Sequence, residues 1–208
     1  MPVARVFLYC SSVLLLGGCT TVSAFRGFSL VEGGTFINGV PPVMQDATYS
    51  CGHTCLAAVA AYWGVGLERF RSMLPGRLPV ETSGAQLQAE AETLGLQAFV
   101  YRGSVADLER NLSAGRPLIV MIPLPVDPRG FPGGLVGTVA NFVSSALPRP
   151  AHWVVLLGVG PRGDLICHDP RSGTLLLERA GFLSGWARLD NTCVLVAARW
   201  TREHSPQL

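Results

Sequence analysis

The chain has 208 residues, of which 49% are hydrophobic and only 14% are charged, and its formal net charge is +2. This apolar composition excludes an intrinsically disordered tail protein, and a net charge so close to zero gives no basic surface for nucleic acid. No apolar run reaches the ~20 residues that a membrane-spanning helix needs, which excludes a multi-pass membrane protein. The length suits one domain with a single core.

The first nineteen residues have the pattern of a bacterial export signal that ends at a lipid attachment site. Arg5 supplies positive charge, an apolar stretch follows, and Leu16-Gly17-Gly18-Cys19 closes it. We expect residues 1–18 to be a signal peptide and Cys19 to carry the lipid, which makes the protein anchored rather than spanning. Because threonine rather than aspartate follows Cys19, the expected location is the outer membrane, facing the periplasm. The alternative, a buried first helix, conflicts with the two adjacent glycines.

Hydrophobic spacing predicts a folded domain at 40–202, between a glycine-containing tether at 19–39 and a polar tail at 203–208. Apolar residues at helical spacing predict helices at 52–63, 67–73, 84–94 and 104–114. Apolar runs predict strands at 118–122, 153–157, 165–167, 174–177 and 193–196. Helices first and strands afterwards predict an α+β fold in which N-terminal helices pack on an antiparallel sheet.

The segment 123–150 is rich in proline and glycine and interrupts the predicted strands. A connection this long inside a compact domain is typical of a functional lid, and the alternative is a surface excursion with a short helix.

The clearest chemical signal is a cysteine at the start of the first predicted helix. Cys51 precedes Gly52, and Gln45 lies six positions upstream. A helix N-terminus favours thiolate over thiol, which suits a nucleophile. Gly52 permits close approach of a substrate, and the Gln45 amide could join the Cys51 N–H in binding an oxyanion.

A cysteine nucleophile needs a base, and the base needs a group that orients it. His152 stands just before the most apolar predicted strand, and Asp169 ends another. If those two strands are neighbours, Asp169 reaches one nitrogen of His152 and leaves the other for Cys51. His168 is the weaker candidate for the base, because adjacent strand residues face opposite ways and it neighbours Asp169.

The remaining cysteines and histidines have simpler interpretations. Cys55 lies one helical turn after Cys51 and is expected in the core. Cys51, His53 and Cys55 lack the spacing of a zinc site, so no metal is expected. Cys167 and Cys193 lie in predicted strands, where a disulfide and two free buried thiols are both compatible with the pattern.

The run from Gln45 to Gly64 resembles the bacteriocin-processing, double-glycine leader peptidases, which are papain-like cysteine peptidases. The likeness continues at Thr82-Ser83-Gly84, His152 to Val155 and His168-Asp169-Pro170. The stretch Leu74-Pro75-Gly76-Arg77 is similar to the stand-alone lipoprotein members of the group.

The resemblance implies a papain-like fold and thiol-mediated hydrolysis of a peptide bond in an exported or membrane-associated polypeptide. It places the nucleophile on Cys51, the base on His152, the orienting acid on Asp169 and the oxyanion-binding amide on Gln45. No cofactor, metal or nucleic acid is implied. Two alternatives stay open: a catalytically inactive module that binds peptides, and a transpeptidase in which an amine intercepts the thioester.

Overall fold

The structure, a computed structural model, describes residues 34–46, 50–73, 81–123 and 150–199. These ranges contain seven strands and five helices, here labelled in chain order. They are β1 (Thr35–Phe36), α1 (Cys51–Tyr62), α2 (Leu67–Met73), α3 (Gly84–Thr93), β2 (Gln97–Arg102), α4 (Val105–Ser113), β3 (Leu118–Pro123), β4 (Ala151–Val159), β5 (Leu165–Asp169), β6 (Gly173–Leu177), α5 (Arg179–Ala187) and β7 (Thr192–Ala197). In these four ranges no helix combines the length and the apolar character needed to cross a membrane.

All seven strands join one antiparallel sheet, in the order β2-β7-β3-β4-β5-β6, with β1 added on β4. Helices cover both faces of this sheet. One core lies between the sheet and α1, α2 and α3, and the other lies between the sheet and α4 and α5. The predicted α+β architecture, with helices packed on an antiparallel sheet, is therefore confirmed.

The central strand β4 contributes side chains to both cores in strict alternation. Trp153, Val155 and Leu157 enter the core under α1, whereas Val154 and Leu156 enter the core under α4 and α5. A strand that is buried on both faces reads as a continuous apolar run, because no position along it faces water. This burial explains why β4 could be predicted from the sequence.

Three elements were not predicted, so the expected order of helices first and strands afterwards is wrong at three places: β1 precedes α1, β2 lies between α3 and α4, and α5 lies between β6 and β7. β2 is an edge strand that leaves Phe99 and Val100 exposed, so it has neither a buried run nor a regular alternation. The nine residues of α5 bury only Phe182 and Trp186, and two internal glycines weaken its helical signal.

The expected tether at 19–39 ends earlier than the sequence suggested. Thr35 and Phe36 pair with Val159 and Gly158 of β4, and the Ile37 N–H donates to the Leu157 oxygen over 2.8 Å. Residues 34–39 therefore belong to the folded part. The predicted signal peptide, Cys19, the stretch 74–77, the interior of the 123–150 segment and the tail at 203–208 lie outside the described residues.

Cys167 and Cys193 are both free thiols. Cys167 lies on β5 and Cys193 on β7, and β4 and β3 separate these strands. Three strand spacings amount to about 14 Å, far beyond the separation that a disulfide can bridge. Of the two interpretations left open by the sequence, free buried thiols are the one that the fold allows.

The contact between β1 and β4 depends on a glycine. The β4–β5 register shifts between Leu156 and Gly158, and a Cβ at Gly158 would overlap the Thr35 carbonyl oxygen. We expect Gly158→Ala to separate β1 from the sheet and lower the free energy of unfolding by about 1–3 kcal/mol, measured by urea denaturation. Gly160→Ala is the matched control, because its Cβ would meet no atom closer than 3.6 Å. Equal stability of the two variants would contradict this role of Gly158.

Candidate active site

Cys51 is the first residue of α1, and the rest of that helix fixes its position. Nine consecutive residues of α1, Gly52 to Ala60, are buried, so the helix enters the core with almost no exposed face. Cys51 itself is only partly buried. The thiol therefore lies at the boundary between the core and the solvent, where the helix N-terminus stabilises negative charge.

His152 and Asp169 come from neighbouring strands and are hydrogen-bonded. β4 pairs with β5 through Val155 and His168, which brings the start of β4 beside the end of β5. The His152 Nε2 and Asp169 Oδ1 atoms are 3.0 Å apart, and each residue is 2% exposed. The Arg171 N–H donates to the same Oδ1 over 2.7 Å. The condition on which the sequence analysis depended, that the two strands be neighbours, is met.

The Cys51 thiol is hydrogen-bonded to the His152 side chain. Because Asp169 occupies Nε2, the nitrogen that His152 presents to the sulfur is Nδ1. A thiol, an imidazole and a carboxylate are thus linked in the order that a nucleophile, its base and an orienting group would have.

The electrostatics of this chain favour an ion pair between thiolate and imidazolium. Burial alone would raise the pKa of the Cys51 thiol, but the hydrogen bonds from His152 and from the Trp153 N–H, with the His152 charge, lower this pKa overall. Burial opposes the charged form of His152, yet the bonds to Asp169 and Cys51 raise its pKa to about 9. Burial also opposes the charged form of Asp169, but the His152 hydrogen bond lowers that pKa below its usual value.

Gln45 lies beside the same strand end. Its backbone N–H donates to the Pro170 oxygen over 2.8 Å, and its side chain is exposed. Two residues earlier, the Val43 carbonyl accepts from His168 Nε2–H over 2.7 Å. The His168 ring thus secures the segment that carries Gln45.

Trp153 is a residue of the site whose contribution the sequence analysis did not identify. Its backbone N–H is hydrogen-bonded to the Cys51 sulfur, and its indole N–H donates to the Thr82 oxygen over 2.8 Å. A Cβ at Gly52 would lie 3.0 Å from both Trp153 Cδ1 and Thr82 Cβ. Gly52 therefore permits the close approach of Trp153 and Thr82. The position of Trp153 next to His152 on a buried strand was the sequence signal that could have identified its contribution.

The other candidate residues lie apart from this chemistry. Cys55 is fully buried, and burial raises the pKa of its thiol well above the usual value, as expected for a core residue. His53 bonds to Ser50 and Glu90 and does not face the Cys51 thiol. In the described part of the chain, no three His, Cys, Asp or Glu side chains are grouped so that they could hold a metal.

The profile of the Peptidase_C39 like family matches residues 37–194, which is most of the chain. The chain belongs to the Peptidase_C39 like family. The described domain of this C39-like chain is accordingly a papain-like peptidase domain. No curated protein sequence is significantly similar to it.

Two solved structures have the same fold as this chain. A putative C39-like peptidase from Bacillus anthracis is 17% identical, with a TM-score of 0.57 over 82% of this chain and 100% of that one. The peptidase domain of Streptococcus ComA, a bifunctional ABC transporter, is 19% identical, with a TM-score of 0.51 over 76% of this chain and 97% of that one. The C39-like chain shares the fold of both.

The ion pair can be tested by alkylation with iodoacetamide across pH, because only the thiolate reacts. With the pKa of Cys51 lowered and that of His152 at about 9, we expect the wild-type reaction to be fast at neutral pH. Asp169→Asn keeps a side chain able to hydrogen-bond but removes the charge that stabilises the imidazolium, so the apparent thiol pKa should rise by about one unit. Asp190→Asn, which changes a carboxylate that is 68% exposed, should leave the profile unchanged. An unshifted profile in Asp169→Asn would rule out the electrostatic coupling.

Proposed function

We propose that this protein is a cysteine endopeptidase, exported and lipid-anchored, that cleaves a peptide bond in an exported or membrane-associated polypeptide. The observation that carries the proposal is the continuous hydrogen-bonded chain from the Cys51 sulfur through His152 to Asp169. Its placement on a domain of the Peptidase_C39 like family supports a peptide bond as the target.

The geometry suggests a role for each group. The Cys51 thiolate attacks the carbonyl carbon of the substrate, and the His152 imidazolium gives its proton to the leaving amine. A water then attacks the thioester carbonyl while His152 accepts its proton, and the C–S bond breaks to release the carboxyl product and restore the thiolate–imidazolium pair. Asp169 holds the ring in the orientation that keeps Nδ1 toward the sulfur.

The oxyanion that forms during each attack needs hydrogen-bond donors, and the first turn of α1 offers them. In the proposed mechanism the Cys51 N–H and the Gln45 side-chain amide supply two donors. The support for Gln45 is its position: its backbone is bonded to Pro170, the residue that follows Asp169.

Cleavage of a mixed-sequence peptide pool, with products identified by mass spectrometry, tests this mechanism. Cys51→Ala should abolish cleavage, because no other group in the site can form the thioester. Gln45→Ala should lower kcat for a cleaved peptide by about 10²–10³ while leaving the alkylation of Cys51 unchanged. Gln97→Ala, which changes an exposed glutamine on β2, should have no effect.

Three results would point elsewhere. Undiminished cleavage by Cys51→Ala would reject the nucleophile. A wild-type protein that retains peptides without cleaving them would be the inactive binding module. Products extended by an added amine would identify a transpeptidase. To search for natural substrates, the Cys51→Ala protein displayed at the membrane can be used to retain uncleaved exported polypeptides.

The proposed anchoring rests on the sequence around Cys19. Cys19→Ser removes the thiol that would carry the lipid, so we expect it to abolish incorporation of labelled palmitate and to release the protein from the membrane fraction. Cys10→Ser is the matched control, because Cys10 lies within the proposed signal peptide and should be lost on processing. Palmitate labelling of Cys19→Ser at the wild-type level would show that the lipid is attached elsewhere.

A further inference from the structure

Three consecutive residues at the end of β5 contact two different parts of the site. Asp169 provides the carboxylate that is bonded to the imidazole of the site. On one side of it, His168 Nε2–H donates to the Val43 oxygen over 2.7 Å, and on the other side the Pro170 oxygen accepts from the Gln45 N–H over 2.8 Å. The same stretch of chain therefore holds both the imidazole and residues 43–45, here called the glutamine segment.

The alternation of side chains along β5 allows neighbouring residues to do this. His168 pairs with Val155 of β4, whose side chain lies in the core under α1. Directly opposite residues of paired strands share a face of the sheet. His168 therefore lies on the face that α1 covers, and Asp169, the next residue, lies on the opposite face. Each contact is made by its own residue.

His168 is buried, and only one of its two ring nitrogens is hydrogen-bonded. The residue is 1% exposed. A carbonyl oxygen accepts, so Nε2 carries the proton, and in the neutral ring Nδ1 is an acceptor. Among the described residues Nδ1 finds no hydrogen-bond partner. An unpaired buried acceptor is unfavourable, so an apolar side chain would suit this buried position better. The bond to Val43 is what the histidine adds.

The glutamine segment depends on bonds from outside itself. Pro41 and Pro42, which precede it, have no N–H to donate. The Val43 N–H is bonded locally to the Pro41 oxygen over 2.9 Å. The Val43 side chain packs against the core under α1, whereas the Gln45 side chain is exposed. The bond from His168, two residues before Gln45, therefore helps to fix the point from which the glutamine side chain extends.

We propose that His168 is a positioning residue for the proposed reaction. Its bond to Val43 keeps the glutamine segment against the end of β5, and this keeps the Gln45 amide where the oxyanion forms. The proposal deepens the proposed function and rests on it, since it takes Gln45 as an oxyanion donor. It assigns His168 no part in activating the thiol, because the bond to Val43 involves neither the thiol nor the imidazole of the site.

Variants at position 168, assayed with a peptide that the wild type cleaves, test this role. Glutamine presents an N–H near the position of Nε2, whereas the amide of asparagine lies near Nδ1 and leucine has no donor. We expect His168→Leu and His168→Asn to lower kcat by about tenfold, the effect of one lost hydrogen bond, and His168→Gln to restore most of it. KM should stay close to the wild-type value, because the oxyanion exists only after the substrate has bound.

A double variant separates the positioning of Gln45 from general damage. In Gln45→Ala the amide is already missing, so adding His168→Leu should lower kcat no further, whereas independent damage would multiply the two losses. Iodoacetamide alkylation of Cys51 should be unchanged in His168→Leu. Thr174→Val is the matched control, because it changes the exposed residue paired with His168 on β6 and leaves the bond to Val43 intact. Its kcat should equal that of the wild type.

Amide hydrogen exchange, measured by NMR, tests the same bond without a substrate. The Gln45 N–H is bonded to the Pro170 oxygen, and release of the Val43 oxygen should loosen that contact. We expect this N–H to exchange about tenfold faster in His168→Leu and at close to the wild-type rate in His168→Gln. Urea denaturation checks that the variants remain folded, and His168→Asn replaces His168→Leu if the leucine variant does not fold.

The outcomes distinguish this proposal from the proposed function. A loss of kcat that glutamine restores and that disappears in the Gln45→Ala background, with faster exchange of the Gln45 N–H, supports the positioning role. Wild-type kcat in a folded variant without the donor, a loss that glutamine does not restore, multiplied losses in the double variant or unchanged exchange overturns it. If the wild type cleaves no peptide, the proposed function fails, and the exchange comparison decides whether His168 holds the glutamine segment.

Discussion

The hydrogen bond between His152 Nε2 and Asp169 Oδ1 is the interaction on which the site depends. An imidazole has only two nitrogens, so fixing one of them on a buried carboxylate determines what the other can reach. Both residues stand on neighbouring strands, and β4 is at the centre of the sheet. A slip of one residue between these strands would turn His152 to the opposite face. The two cores packed on β4 therefore fix the register of the strand, and the register fixes the face on which His152 lies.

The site lies where two kinds of structural element meet. α1 places the Cys51 thiol at its N-terminus, and the sheet places His152 and Asp169 at strand ends. Trp153 joins the two parts, because its backbone contacts the sulfur while its indole is bonded to the segment before α3. Burying His152 and Asp169 costs solvation, and the hydrogen bonds of His152 to the Cys51 sulfur and of the Arg171 N–H to Asp169 offset that cost.

Much of this arrangement was predictable, because its signals are local. Helical spacing predicted α1 and α3, and apolar runs predicted β3 and β4. His152 was a candidate because it stands just before a predicted strand, and Asp169 because it ends another. The α4 start also follows from local pattern, since Ser104 and Asp107 form a capping box. The rest depends on partners distant in sequence. The buried hydrogen bonds of Ser50 and His53 depend on Thr82 and Glu90, which lie 32 and 37 residues further along the chain, and the exposed edge strand β2 is recognisable only by its pairing with β7.

The pairing of β1 with β4 fixes the point at which the described chain joins the sheet. The chain joins the sheet opposite Val159, whereas His152 stands at the other end of the same strand. Seven residues of extended chain separate these positions by roughly 23 Å. The Cys51, His152 and Asp169 side chains therefore lie at the end of β4 remote from the point where the described chain joins the sheet.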